Sequence, residues 1–284
     1  VEISDGSVRI LAALLEARTG QQLAHGRRWR IEAALHPLMG ELQAASMDAL
    51  VSRIVSGEDP RLSDRAIDAL LNHETFFFRD IASFRLLDEQ GLERIRAARA
   101  ATRRLRIWSA GCSTGQEVYT IAMLIADQPE RWQGWSIDIV GTDLSAKAIA
   151  RARQGRYSQF EIQRGLPVVQ MLRRFDQIER EWQVSDALRG MVCFRNHNLL
   201  APPPPGLFDV VLCRNVLLYF SSDVRGLVFG RIASAMPEDG VLMLGAGETV
   251  MGHTDHFVSD YECRGLYRKR IHAPSRTSME CAAR

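Results

Sequence analysis

The chain has 284 residues, enough for one large domain or for one domain with a small helical companion. Hydrophobic residues make up 46% and charged residues 25%, a balance that excludes a disordered chain. The net charge of +2 provides no global basic field for nucleic acid, and no apolar run approaches the ~20 residues of a membrane span.

Residues 1–20 interleave acids and bases with apolar residues, unlike a signal peptide, so a cytoplasmic location is expected. Helical periodicity runs through the first 75 residues. Ile10, Leu11, Leu14 and Leu15 share one face, and so do Ile31, Leu35 and Leu38. Shorter amphipathic runs follow at 47–56 and 61–72, the latter with Ile67, Leu70 and Leu71 and with Ser63–Asp64 as its cap signal. An all-α domain of about four helices is therefore expected over 1–75.

From about residue 104 the rhythm changes. Leu105 and Ile107 alternate with Arg106 and lead into Ala110-Gly111-Cys112-Ser113-Thr114-Gly115, a short strand running into a glycine loop. A helical pattern follows with Val118, Ile121, Ala122, Leu124 and Ile125. Ser136–Asp143 reads as a second strand, and 145–153 as a helix. Phe208–Cys213 and Gly240–Gly245 are further apolar runs, the first placed after Pro202–Pro205. Short apolar strands alternating with helices predict an α/β domain over 76–272, built on a doubly wound, mostly parallel sheet. Residues 175–195 break the alternation. Trp182-Gln183-Val184 and Met191-Val192-Cys193-Phe194 read there as a small antiparallel β insertion. Residues 273–284 read as a loose tail. The five cysteines (Cys112, Cys193, Cys213, Cys263, Cys281) contain no CxxC pair and read as reduced thiols, with no disulfide framework and no metal site.

Gly111 and Gly115 match neither the dinucleotide pattern G-x-G-x-x-G nor a Walker loop. The loop is either a tight βα connection or a ligand loop without a phosphate grip. Asp143 ends the second strand, where a carboxylate can accept both hydroxyls of a ribose. Glu117, in the first turn of the following helix, serves either the helix dipole or the ammonium group of a ligand amino acid. A ligand with a ribose, an amino acid and no phosphate is S-adenosylmethionine (SAM). In His73-Glu74-Thr75-Phe76-Phe77-Phe78-Arg79-Asp80, at least two of the phenylalanines read as core, whereas Arg79 calls for an anionic partner at such a seam. Arg214-Asn215-Val216-Leu217-Leu218-Tyr219-Phe220 follows a strand, so it falls at the carboxyl edge of the sheet, where open α/β sheets bind ligands.

Taken together the blocks HETFFFRD, SAGCSTGQEVYTIAM, GTDLSAKAIARARQGRY, FRNHNLL, FDVVLCRNVLLYF and GVLMLGAGE resemble, in order, the CheR-type chemotaxis receptor methyltransferases. The resemblance runs from about residue 5 to 270. It implies a SAM-dependent protein-glutamate O-methyltransferase. The expected reaction methylates glutamate carboxylates on the cytoplasmic helices of chemoreceptors, for sensory adaptation, and leaves S-adenosylhomocysteine (SAH). The family's Asn-x-Thr-x-Phe-Phe-Arg pattern falls on His73, Thr75 and Arg79, with histidine where asparagine is usual and Asn72 beside it as the alternative contact. By the same resemblance Glu117 takes the ammonium group, Asp143 the ribose, Asn198 and Leu199 the adenine border, and Arg214 and Asn215 the far side. Arg79 orients the reacting carboxylate and Tyr219 stands near the transferred methyl.

A carboxylate with a pKa near ~4.3 is already ionised at neutral pH, so this chemistry needs no general base. Two other readings stand beside it: a non-catalytic SAM-binding signalling module, and a nucleic-acid methyltransferase. The second lacks both the Asp/Asn-Pro-Pro-aromatic and the Pro-Cys signatures, so no nucleic-acid partner is expected. His25, Arg27, Arg28 and Arg30 form a basic stretch that resembles the family's substrate-facing helix. Phe175–Trp182, in the insertion, contains no glycine and is several residues shorter than the corresponding stretch of some relatives. Those relatives use a glycine-rich turn there to hold a receptor's C-terminal pentapeptide, and a turn without glycine disfavours positive φ. No pentapeptide tether is expected here.

Overall fold

The computed structural model describes residues 2–23, 28–57 and 59–270. Four helices come first: α1 (Asp5–Thr19), α2 (Arg28–Glu41), α3 (Met47–Ser56) and α4 (Pro60–Leu70). Ser4 caps α1 by accepting from the Ser7 N–H, and Ser46 caps α3 through the Ala49 N–H. Helix α4 starts earlier than the Ser63–Asp64 signal suggests. Asp59 is its cap and Pro60 occupies the first turn, where a missing N–H costs nothing. Leu11, Leu15, Ile31, Leu35, Leu38, Leu50, Ile54, Leu62 and Ile67 close a core of their own. Ile10, placed on the buried face by periodicity, is 43% exposed instead, on the rim of that face.

Helix α5 (Ile81–Leu86) runs through a π turn at Leu87–Leu92 into α6 (Glu93–Ala98). The α/β part then follows: β1 (Arg104–Ala110), α7 (Gln116–Ala126), β2 (Ser136–Asp143), α8 (Ala146–Gln154), β3 (Arg156–Ser158), α9 (Gln159–Gln163), α10 (Val168–Arg174), β4 (Phe175–Ile178), β5 (Glu181–Val184), α11 (Asp186–Arg189), β6 (Val192–Asn196), β7 (Val210–Cys213), a 3₁₀ turn (Leu217–Tyr219), α12 (Ser222–Ser234), β8 (Val241–Leu244), β9 (Phe257–Ser259) and β10 (Leu266–Lys269).

The main sheet has seven strands in the order β6-β2-β1-β7-β8-β10-β9. The first five are parallel, and β10 and β9 close the far edge antiparallel. Successive residues of a strand feed opposite faces. Ile107, Val210, Leu212, Val241 and Met243 join the core on one side with Val118, Ile121 and Ile149. Trp108, Val211, Cys213, Leu242 and Leu244 join the other with Phe208, Phe229 and Ile232. Burial on both faces explains why these strands read as continuous apolar runs rather than as alternation. Each fully buried Val, Ile or Leu contributes about 1.5–3 kcal/mol.

The antiparallel insertion is real, but its membership differs from the expectation. The small sheet is β3-β5-β4. Its third strand is Arg156–Ser158, while the Met191–Phe194 run supplies β6, which pairs parallel with β2 at the edge of the main sheet. A short apolar run carries no mark of which edge it will join. The β4–β5 turn also departs from the expectation, since Glu179 adopts φ +55° without being glycine. The tail at 273–284, and His25 and Arg27, lie outside the described residues.

Candidate active site

After β1 the chain lays β2 and β6 on one side, then returns to place β7 and β8 on the other. The crevice at the carboxyl ends of β1 and β7 is therefore the topological switch point, the usual ligand position in such sheets. A cleft lies there, bordered on the helical side by Thr19, Gln21 and Leu71–Phe76. His73, Thr75, Arg79, Glu117, Asp143, Asn198, Leu199, Arg214, Asn215 and Tyr219 all line it.

The glycine loop is shaped by backbone requirements. Gly111 and Gly115 sit at φ +84° and +95°, and Gly115 heads α7. A Cβ on Gly115 would lie 2.9 Å from the Ala152 Cβ and 3.1 Å from the Phe194 ring, so the start of α7 lies as close to α8 and β6 as glycine permits. The loop folds over the end of β2, with the N–H groups of Gly111 and Cys112 donating to the Thr142 carbonyl at 2.8 and 2.9 Å. It thereby brings the Ser113 N–H to Asp143 Oδ2 at 2.8 Å, while the Ser145 N–H reaches Oδ1 at 2.9 Å. Each carboxylate oxygen keeps further acceptor capacity, enough for a vicinal diol. Burial raises the pKa of Asp143. The two N–H donors and His73 work against that rise, and Asp68 adds to it.

Glu117, in the first turn of α7, accepts from the Ser109 hydroxyl at 2.8 Å and from Arg214 Nη1 at 3.1 Å. Arg214 also donates to Asp80 at 2.8 Å and to the Arg79 carbonyl at 2.8 Å, and its guanidinium lies 4.9 Å from the Phe84 ring centre. One buried cation thus faces two carboxylates, leaving an excess negative charge that suits a ligand ammonium group. Arg79 departs from the sequence expectation. Its Nη1 donates to the Glu74 carbonyl at 3.0 Å and its guanidinium stands over Phe76, 5.6 Å from the centroid. Among the described residues no carboxylate lies within 4 Å of it. The side chain is half-exposed, so water meets the need for solvation that a buried arginine would have met with an acid. Phe77 and Phe78 are core, whereas Phe76 lines the cavity.

His73 turns its ring toward α4, with Nε2 3.2 Å from the Asp68 carbonyl, while its own carbonyl accepts from the Ser113 hydroxyl at 2.9 Å. The neighbouring Asn72 amide donates to the Tyr219 hydroxyl. Tyr219 closes the 3₁₀ turn, and its carbonyl accepts from the Gln22 N–H at 2.7 Å, which stitches this loop to the segment after α1. Asn198 donates to the Arg18 carbonyl at 3.1 Å and caps the Leu200 N–H at 2.9 Å.

The sequence reading misses Ser113, His197 and Gln21 on the cavity wall, and Asp80 and Glu248 behind it. Asp80, His197 and Glu248 fall inside blocks already singled out, but nothing local marks their partners.

Two further titratable groups line the cavity and do not offer nucleophilic or acid chemistry. Burial and the charges of Asp143 and Glu117 push the Cys112 thiol well up, away from thiolate character. Burial, with the Arg231 charge, pushes the His197 imidazole below its usual range, so it stays neutral. Among the described residues no cluster of His, Cys, Asp and Glu has the arrangement of a metal site. The cavity thus presents the Asp143 carboxylate and the net negative charge around Glu117, a chemistry compatible with SAM.

Residues 73–262 match the family model described as "CheR methyltransferase, SAM binding domain". The chain is 34% identical over 261 residues to a chemotaxis protein methyltransferase of Vibrio parahaemolyticus, covering 90% of this chain and 94% of that one. It is 37% identical over 250 residues to chemotaxis protein methyltransferase Cher2 of Pseudomonas putida, covering 86% and 90%. Chemotaxis protein methyltransferase 1 of Pseudomonas aeruginosa is 34% identical over 259 residues, covering 89% and 94%.

Proposed function

The chain belongs to the CheR methyltransferase family, and we propose that it transfers the methyl group of SAM to glutamate side chains on the cytoplasmic helices of chemoreceptors, forming glutamate methyl esters during sensory adaptation. The observation that carries the choice of a carboxylate is Arg79, a guanidinium on the cavity wall with no acidic partner within 4 Å among the described residues, with Tyr219 lining the same cavity. A cation with no direct ion pair at the site of transfer, facing only the longer-range charge of Glu74, suits an anionic acceptor, and a carboxylate needs no base to activate it.

In this reading Glu117 takes the ammonium group of the cofactor and Asp143 its ribose hydroxyls. Asn198 and Leu199 border the adenine, His73 and Thr75 line the near wall, and Arg214 and Asn215 line the far wall. SAM, when bound, supplies a sulfonium methyl that a carboxylate oxygen takes in line, the C–S electron pair returning to sulfur to give SAH. Arg79 steers the incoming carboxylate by charge, without a tight bidentate clamp that would quench it as a nucleophile. The Tyr219 hydroxyl, whose acceptor side is occupied by the Asn72 amide, keeps its O–H to donate to the substrate. Alignment and partial desolvation then provide the rate.

The receptor reaches the site from the helical side. A second, more open groove adjoins the Asn72–Tyr219 pair and is lined by Arg30, Arg225, Leu15, Leu218 and Phe220. That mixture of arginine and apolar surface suits an amphipathic helix bearing acidic residues.

The test is methyl transfer from labelled SAM to purified receptor cytoplasmic fragment, with alkali treatment of the product. Methyl esters release volatile methanol, whereas methylated amines do not. Alkali-stable label, label on nucleic acid only, or no transfer would each refute the reading. Arg79→Ala is expected to lower kcat/KM by about a hundredfold while leaving thermal unfolding nearly unchanged. Wild-type activity in that variant would make Arg79 a seam residue.

A further inference from the structure

We infer that Glu248 is a positioning residue for methyl transfer, holding the loop that carries Asn215 and Tyr219 to the cavity. The inference rests on the reading above, in which Tyr219 stands beside the reacting groups.

Strands β7 and β8 end side by side, Cys213 opposite Leu244, so the chain leaving each must share the same space. Glu248, four residues beyond β8, turns its carboxylate back into that space. Oε2 accepts from the N–H of Asn215 at 2.7 Å and of Gly245 at 2.9 Å. Oε1 accepts from the N–H of Leu217 at 2.8 Å, with the Leu218 N–H at 3.4 Å. The fit depends on Gly245, because a Cβ there would lie 2.7 Å from Asn215 Nδ2 and 2.8 Å from Glu248 Oε2.

The loop's own hydrogen bonds, from the Tyr219 N–H to the Val216 carbonyl and from the Phe220 N–H to the Leu217 carbonyl, leave its first half unheld. Asn215 sits at φ +59°, a left-handed conformation that asparagine tolerates better than other residues with a Cβ but that local sequence alone does not impose. The 3₁₀ turn at Leu217–Tyr219 is a single turn, and its leading N–H groups have no acceptor within it. Glu248 supplies that acceptor from about 30 residues away. A carboxylate suits the task because its charge is met by several N–H dipoles, with no ion pair among the described residues. Glu248 is not part of the cavity wall, so its effect passes through Asn215 and Tyr219.

Glu248→Gln keeps the shape but replaces one acceptor oxygen by a donor that opposes the N–H groups it faces. The expected result is a fall in kcat of about tenfold to a hundredfold, with SAH affinity changed by no more than about threefold. Combined with Tyr219→Phe, it is expected to add no more than about twofold to the loss from Tyr219→Phe alone, as for residues acting through one group. Amide hydrogen exchange in the SAH-bound protein is expected to speed up by about tenfold at Asn215 and Leu217. An unchanged kcat, fully multiplicative losses, or unchanged exchange would each overturn the inference. If the wild type forms no methyl ester, the substrate reading fails, and the exchange measurement still decides the role of Glu248. Glu248→Asp, which keeps the charge but shortens the reach, supplies the same readouts should Glu248→Gln fail to fold.

Discussion

Asp143 is the residue where burial and ligand chemistry pull in opposite directions. Its pKa is raised by burial, and the N–H groups of Ser113 and Ser145 hold both oxygens. In the proposed role the ionised form accepts the ribose hydroxyls, so SAH affinity is expected to fall as the pH drops through the raised pKa, beginning above the ordinary aspartate range. The sign for folding is the reverse. A carboxyl that binds its proton more tightly when folded favours the fold as the pH falls through that same pKa. Asp143→Asn, measured by calorimetry with SAH, is expected to lose on the order of 1.5–3 kcal/mol at neutral pH and to flatten the acid limb of the binding profile. An unchanged profile would remove Asp143 from the cofactor site.

At the scale of elements, the hairpin β4–β5 is the informative case. The expectation that this chain holds no receptor pentapeptide began from the missing glycines, yet Glu179 reaches φ +55° with a side chain in place. Positive φ is therefore not what the turn lacks. What remains is its length, since only Glu179 and Arg180 separate the two strands and so offer a docking peptide little beyond the strand edge itself. We keep the proposal of no tether on that ground. Calorimetric titration of a receptor C-terminal pentapeptide is expected to show no heat of binding at micromolar concentrations, and a micromolar isotherm would refute it.

At the scale of the whole molecule, the helical region contributes to the site directly. Gln22 donates to the Tyr219 carbonyl, Gln21 pairs with Phe220 and Asn72 with Tyr219. The arginines of α2 are not equivalent probes of receptor docking, because the charge of Arg28 is already answered by Asp5 at the surface. Arg30 lines the second groove and is the cleaner choice. Arg30→Glu is expected to raise KM for the receptor by about tenfold at low salt, with kcat nearly constant and the difference shrinking as salt screens it. Equal KM values would place docking elsewhere.

What the sequence by itself determined is what depends on neighbours along the chain. The helical periodicity of α1–α4, the apolar runs of β1, β2, β7 and β8, and the glycine loop ahead of α7 are all short-range patterns, legible because period and burial follow from local spacing. Asp143 and Glu117 were legible for the same reason, each lying a fixed distance from a strand end or a helix start. The tertiary structure alone decided the rest. It decided that Met191–Phe194 joins the main sheet, because a strand's partner is chosen by whichever edge lies open when it arrives. It decided that Arg79 faces a carbonyl and an aromatic ring rather than an acid. It also brought Glu248 to the loop after β7 and Asn72 to Tyr219, pairs separated by about 30 and by 147 residues. Chain spacing says nothing about such contacts, because they form only when strands of one sheet and two separate cores bring distant segments to a common edge.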